Sequence, residues 1–304
     1  MQHIKNHRIF ITGCGGMLGD AFYHFFKDKA VIEASDIDVN EEWLSYLDVR
    51  DYDEYRKQVL DFKPDICVHL PALTDLEYCE LHPDEAYLTN TIAVENSVFV
   101  AKEISATLVY ISTAGIFNGK KEYYDDWDMP DPINVYGRSK YMGELFVKRN
   151  YNKYFVCRAG WMMGGGLKKD KKFVNKIIKQ IENGKNYLDV VDDKLGTPTY
   201  TYDFARNVYE LLKTNFYGVY NIVCGGDCSR SDVASEILKD LNKSDSVKIN
   251  RVKSDFFANE YFAPRPHSEK LINTKLKLRE LNVMGNWENS LREYIEKSYS
   301  HLID

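Results

Sequence analysis

Tyr136 and Lys140 stand four residues apart in the stretch NVYGRSKYMGE. On a helix that spacing stacks two side chains one turn apart on a single face. A phenol with an ordinary pKa near 10 is a poor proton donor at neutral pH, and an adjacent ammonium is expected to bring it into a useful range. The pair is therefore a candidate acid–base unit. The spacing is common by chance, so its meaning depends on what the rest of the chain places around it.

A place for a reactant opens the chain. Thr12-Gly13-Cys14-Gly15-Gly16-Met17-Leu18-Gly19 lies between an apolar run, HRIFITG, and a helix-like segment from Met17 onward. A pyrophosphate needs a tight turn, backbone close enough to touch it and a helix N-terminus aimed at it. Gly13, Gly16 and Gly19 have the spacing for this, with Met17 and Leu18 opening the helix. Glycine-rich turns also occur without cofactors; the position at the first strand–helix junction selects the dinucleotide reading. Asp36 closes the second strand, VIEASD, where a carboxylate accepts hydrogen bonds from the adenosine ribose and repels a 2′-phosphate. No arginine follows it in Asp36-Ile37-Asp38-Val39-Asn40, so NAD(H) is expected over NADP(H). Asp48 and Val49 are either an adenine contact or a helix-capping loop.

The elements that must position these groups alternate through the first two thirds. Strand-like runs fall at 7–13, 31–36, 65–72, 107–113 and 154–161, and helix-like segments at 17–29, 51–62, 83–105 and 136–150. This predicts an α/β fold, a doubly wound parallel (Rossmann) sheet covered by helices on both faces. After about residue 161 the pattern loosens, with helices expected at 173–183, 203–213, 229–241 and 287–299 and strands at 217–223 and 247–252. Residues 1–161 are read as the dinucleotide-binding domain, with about 187–223 returning to it. Residues of about 162–186 and 224–304 form a smaller α/β C-terminal substrate lobe.

The composition of the 304 residues, 44% hydrophobic and 28% charged, is that of a globular protein, and a net charge of −6 argues against nucleic acid as a partner. No run approaches the roughly 18 apolar residues of a membrane helix, and MQHIKNHRIFITG carries no apolar leader, so a cytoplasmic location is expected. Cys67 and Cys157 read as buried thiols. Cys224 and Cys228 lack the second Cys/His pair that a metal site needs, and no metal is expected.

In order along the chain, the glycine turn, Asp36, Ile111-Ser112-Thr113 and Tyr136-x-x-x-Lys140 resemble an extended short-chain dehydrogenase/reductase. More narrowly the chain is similar to the dTDP-4-dehydrorhamnose reductase family of sugar-nucleotide enzymes. The narrower match rests on ThrGlyCysGlyGlyMetLeuGly, on residues 64–75 and 110–119, and on AsnValTyrGlyArgSerLys (134–140). ArgAlaGlyTrp (158–161), residues 196–205 and AlaProArgPro (263–266) add to it. The resemblance implies that Tyr136 donates the proton, that Lys140 tunes it and anchors the nicotinamide ribose, and that Thr113, or alternatively Ser112, polarises the carbonyl. It further implies that Leu70 and Ala72 touch the cofactor and that Thr74, Ala114, Gly115 and Trp161 line the sugar pocket. For Trp161 the other reading is core packing; for Arg265 the choice is between a diphosphate contact and a surface ion pair.

The chain departs from the family at Ser112-Thr113-Ala114-Gly115, where Ser-Thr-Asp-Tyr is usual, at Pro71, and at His267-Ser268, where an asparagine is missing. A pocket emptied at 114–115 predicts a bulkier or differently configured sugar. The expected activity is NAD(P)H-dependent reduction of a 4-keto group on a nucleotide-diphosphate-linked deoxy sugar, in cell-surface polysaccharide or glycoconjugate biosynthesis, by a possible homodimer. The alternatives are an NAD-dependent sugar-nucleotide epimerase and a non-catalytic, cofactor-binding regulatory subunit.

Overall fold

Successive residues of β1 (Arg8–Thr12) point to opposite faces of a sheet, and both faces are apolar. Ile9 and Ile11 pack with Phe22 and Phe26, whereas Phe10 packs with Tyr55, Val59 and Val94. Two buried faces require helices on both sides, which crossovers between parallel strands supply. The computed structural model describes residues 6–303; Met1–Lys5, part of the stretch read above for a leader, and Asp304 lie outside the described residues.

β1, β2 (Val31–Asp36), β3 (Ser45–Tyr46), β4 (Ile66–His69), β5 (Thr107–Thr113), β6 (Tyr154–Ala159) and the strand Gly218–Asn221 form one seven-stranded sheet, all of it parallel. Its order runs from Gly218–Asn221 through β6, β5, β4, β1 and β2 to β3. The order reverses between β4 and β1, so a crevice opens at their carboxyl ends, where the glycine turn emerges. The helix α1 (Met17–Phe26) packs on Thr201–Leu212, and α2 (Tyr52–Phe62) packs elsewhere, on α5 (Ala93–Glu103). Between these come α3 (Leu76–Leu81) and α4 (Pro83–Tyr87), and α6 (Val135–Asn150) carries Tyr136 and Lys140. The single helix expected over 83–105 is interrupted: α4 and α5 are joined by a wider π turn, Leu88–Ile92.

The second lobe is built on three small sheets. Trp161–Met163 pairs with Pro198–Tyr200, and Tyr187–Val191 with Lys248–Val252. In the third, Leu195–Gly196 lies between Cys228–Ser229 and Ser268–Glu269. Of residues 187–223, Gly218–Asn221 joins the seven-stranded sheet and Thr201–Leu212 packs on α1, whereas Tyr187–Val191 pairs with Lys248–Val252. All six cysteines are free and buried. Among the described residues no helix is long and apolar enough to cross a membrane.

Candidate active site

The three motif glycines face three different surroundings. Gly13 has φ +71°, and a Cβ there would lie 2.5 Å from the backbone nitrogen of Pro71, so the turn presses against the tail of β4. A Cβ on Gly19 would lie 2.3 Å from Cys14 Cα, which only glycine avoids as the helix folds back over the turn. At Gly16 the nearest such atom is Gly13 O at 3.9 Å, the residue is exposed, and no side chain caps α1. The open position and the uncapped helix start are what a pyrophosphate needs. Asp36 ends β2 beside this turn and accepts hydrogen bonds from Gly15 N and Asp38 N, each at 2.9 Å. A carboxylate has about four acceptor sites, so it retains capacity for ribose hydroxyls. The donor set thus fits a nicotinamide dinucleotide. Leu70 donates its N–H to Thr12 O, and Leu70, Pro71 and Ala72 continue β4 along the same crevice.

Asp48 and Val49 are otherwise engaged. Arg50 grips both Asp48 oxygens (2.6 Å from Nη2), and the Val49 carbonyl accepts a hydrogen bond from Asn96. The cap of α2 is Asp51, which accepts from Glu54 N, so Asp48 itself holds Arg50 and does not cap the helix.

At the carboxyl end of β5 the two candidate hydroxyls part. Ser112 donates to Glu144 Oε2 at 3.0 Å inside a buried network, where Glu144 also holds Arg158 at 2.6 Å. Thr113 Oγ1 instead accepts from Gly115 N at 3.1 Å and stands beside the Tyr136 ring, both bordering the position a Cβ on Gly115 would take. The Glu144–Arg158 pair ties α6 to β6, and Ser112 ties it to β5, which fixes the helix that presents Tyr136. Lys140 is 3% exposed, its ammonium lies 4.4 Å above the Tyr110 ring, and it donates no hydrogen bond among the described residues.

The titration of the pair differs from the sequence expectation. Burial pushes the Tyr136 phenol up to about 12; the neighbouring Thr113 hydroxyl opposes this, and the Glu269 carboxylate adds to it. Burial also pushes Lys140 down to about 7, against the pull of Glu144. Lys140 thus does not acidify the phenol here. Its ammonium is desolvated and directed at Tyr110, and its free donors suit ribose hydroxyls instead.

The sugar-side residues scatter. Ala114 is buried in an apolar cluster with Phe117, Tyr124, Val223 and Leu271, so it belongs to the core and not to a pocket wall. Gly115 does border the reacting groups: a Cβ there would lie 3.5 Å from both Thr113 Oγ1 and Tyr136 Cε1. Thr74 is exposed and accepts from Lys172 at 2.9 Å, while Lys168 and Lys169 pair with Glu41. Arg265 forks onto Glu77 at 2.7 and 2.9 Å, so the ion-pair alternative describes it and its guanidinium is not free for a diphosphate. Burial alone would raise the Glu77 carboxyl, but the Arg265 fork outweighs it and leaves the group below its usual range. Trp161 donates its Nε1–H to Glu269 Oε2 at 2.9 Å, packs close against Gly196, and carries the Arg230 guanidinium 3.6 Å over its ring.

Three contributors escaped the sequence reading. Glu269 ends the strand Ser268–Glu269 and Arg230 opens the helix Arg230–Asp240, both remote in sequence from Trp161, and no spacing rule links them. Asn90 sits in the π turn, fully buried, exchanging hydrogen bonds with Leu73 and donating to Ser139 on α6. A buried amide in an apolar helix is a visible anomaly that could have been noticed.

Comparison with known proteins follows the same outline. A family model described as RmlD substrate binding domain matches residues 7–300. The spore coat polysaccharide biosynthesis protein SpsK of Bacillus subtilis (strain 168) is 30% identical, over 96% of this chain and 98% of its own. The structure of dTDP-4-dehydrorhamnose reductase from Bacillus anthracis str. Ames in complex with NADP superposes with a TM-score of 0.88 at 31% identity, covering 96% of this chain and 99% of that one. Methionine adenosyltransferase 2 subunit beta of Danio rerio is 27% identical, over 95% or less of either chain: 94% of this one and 89% of its own.

Proposed function

Because the chain belongs to the RmlD substrate binding domain family, we propose that it reduces the 4-keto group of a deoxy sugar carried on a nucleotide diphosphate. The observation that carries this reading is the placement of Thr113 Oγ1 and the Tyr136 ring around Gly115 at the carboxyl end of β5, with the buried Lys140 one turn further along α6. The bound nicotinamide cofactor supplies a hydride to the keto carbon. The glycine turn, Asp36, Leu70, Ala72, Tyr136 and Lys140 hold that cofactor. Thr113 and Tyr136 hydrogen-bond the carbonyl oxygen, stabilising the negative charge that develops on it. Tyr136 then gives its phenolic proton to that oxygen. A phenol raised to about 12 stays protonated across the physiological range, and an alkoxide is a far stronger base than a phenolate, so the transfer runs downhill.

The setting we propose is the cytoplasm, in the synthesis of cell-surface polysaccharide or glycoconjugate, with a homodimer as the working assembly. For the cofactor, the Asp36 carboxylate favours NADH, whereas the B. anthracis relative was captured with NADP. A second reading, a cofactor-binding regulatory subunit without turnover, draws on the likeness to the methionine adenosyltransferase subunit. The test is oxidation of NADH and of NADPH, followed separately, against GDP-, CDP-, UDP- and dTDP-linked 4-keto sugars. Turnover of one of them supports the reductase. Silence across the panel, with a stable protein partner recovered by pull-down, supports the subunit.

A further inference from the structure

Three groups converge where Gly115 lacks a side chain. The position its Cβ would take lies 3.5 Å from Thr113 Oγ1, 3.5 Å from Tyr136 Cε1 and 3.6 Å from Glu269 Oε1. Two of these face the reacting carbonyl; the third is a carboxylate oxygen delivered by another lobe. Glu269 ends the short strand Ser268–Glu269, whose neighbour Leu195–Gly196 also presses Gly196 against Trp161. Its other oxygen, Oε2, accepts the Trp161 indole N–H at 2.9 Å, which fixes the carboxylate's orientation. Oε1 makes no hydrogen bond among the described residues. A carboxylate anchored at one oxygen and open at the other, beside a carbonyl-binding pair, is a hydrogen-bond acceptor awaiting a donor.

In a 4-keto-6-deoxyhexose the carbons flanking the carbonyl are C3, which bears a hydroxyl, and C5, which bears the ring oxygen and the methyl group. Only one of them offers a donor. Resting on the reductase reading above, we infer that Glu269 is the residue that selects the sugar, its Oε1 accepting the hydroxyl on C3 of the ring. Gly115 leaves the room for that contact, so an acceptor from the second lobe fills the space that a side chain at 115 would take.

The experiment is calorimetric binding without cofactor. The Kd of each nucleoside diphosphate (GDP, CDP, UDP, dTDP) is compared with that of its 6-deoxyhexose conjugate, and the pair with the largest gain from the sugar is carried forward. Glu269→Gln keeps the size and an acceptor for the Trp161 N–H, so a role limited to holding the indole survives it. The expected result is a loss of about tenfold in the sugar's gain, because the single amide oxygen stays with the indole and the NH2, a donor, replaces the charged acceptor facing the C3 hydroxyl. The nucleoside diphosphate alone should bind as before, and the 3-deoxy conjugate should not respond to the substitution. The inference fails if Glu269→Gln keeps the gain, if the bare nucleotide weakens equally, or if no sugar adds affinity in the wild type. A Glu269-dependent gain in a protein that never oxidises NADH or NADPH against the keto-sugar panel would sink the reductase and leave this contact standing. Turnover unaffected by Glu269→Gln, with the gain kept, would do the reverse.

Discussion

The cofactor side and the sugar side of the crevice are made of different material. The first is mostly backbone: Gly13 against Pro71, Gly19 against Cys14, and an uncapped helix start at Gly16. The second is side chains brought together from distant segments, Thr113 and Tyr136 from the ends of β5 and α6, Trp161 and Glu269 from short strands and Arg230 from the start of a helix. A backbone cradle accepts any ligand with the same pyrophosphate, whereas a side-chain wall can be rebuilt one residue at a time. The difference teaches that the chemistry of this chain and its choice of sugar are separable.

Substitutions can break that separation or sharpen it. Tyr136→Phe should have the largest effect, lowering kcat by about 10²–10⁴, the usual worth of a positioned general acid. Dinucleotide affinity, read by fluorescence titration, should fall far less than kcat, since Tyr136 is one of several groups that hold the cofactor; an equal loss in both would mean that the tyrosine serves binding and not proton transfer. Next come two glycines of one motif. Gly19→Ala forces a Cβ into Cys14 and should cost about 1–3 kcal/mol in denaturant unfolding. Gly16→Ala meets open space, so the free protein should unfold within about 1 kcal/mol of wild type while dinucleotide affinity falls. Matching unfolding curves for the two variants would show that the cradle is not divided between packing and ligand.

The smallest effect has an unexpected sign. The folded-state pKa of Lys140, about 7, lies below its unfolded value, so between the two the unfolded chain binds more protons and stability rises with pH. Through this residue, stability is fully present above the unfolded pKa and is lost as the pH falls towards 7. Lys140→Met removes the buried charge. It should raise stability at pH 7 by on the order of 1 kcal/mol, measured as Tm, while weakening dinucleotide binding. A fall in Tm would mean that the ammonium over the Tyr110 ring is a stabilising contact.

The same contrast explains what could be read before the fold was seen. β1, the glycine turn and Asp36 are neighbours in sequence, and the βα junction dictates what such neighbours do. Tyr136 and Lys140 were legible because helix geometry links residues four apart. Ser112 and Thr113 were separable only by what they touch, and Glu144, which takes the Ser112 hydroxyl, carries no mark in the sequence. Arg265 next to two prolines looked available for a phosphate, but its partner, Glu77, lies far away in the chain. The effect of Lys140 on Tyr136 was misjudged because spacing gives proximity and says nothing of burial, which dominates both groups.

The π turn between α4 and α5 sets a rotational phase. Its looser winding places Asn90 where its amide can reach both Leu73, on the loop after β4, and Ser139 on the catalytic helix. Removing one residue from Leu88–Ile92 would let regular helix form throughout and turn everything before it by about 100°. Asn90 would then face away from one of its two partners. The surplus residue acts as a shim, holding the loop that borders the cofactor and the helix that carries the acid in register with each other.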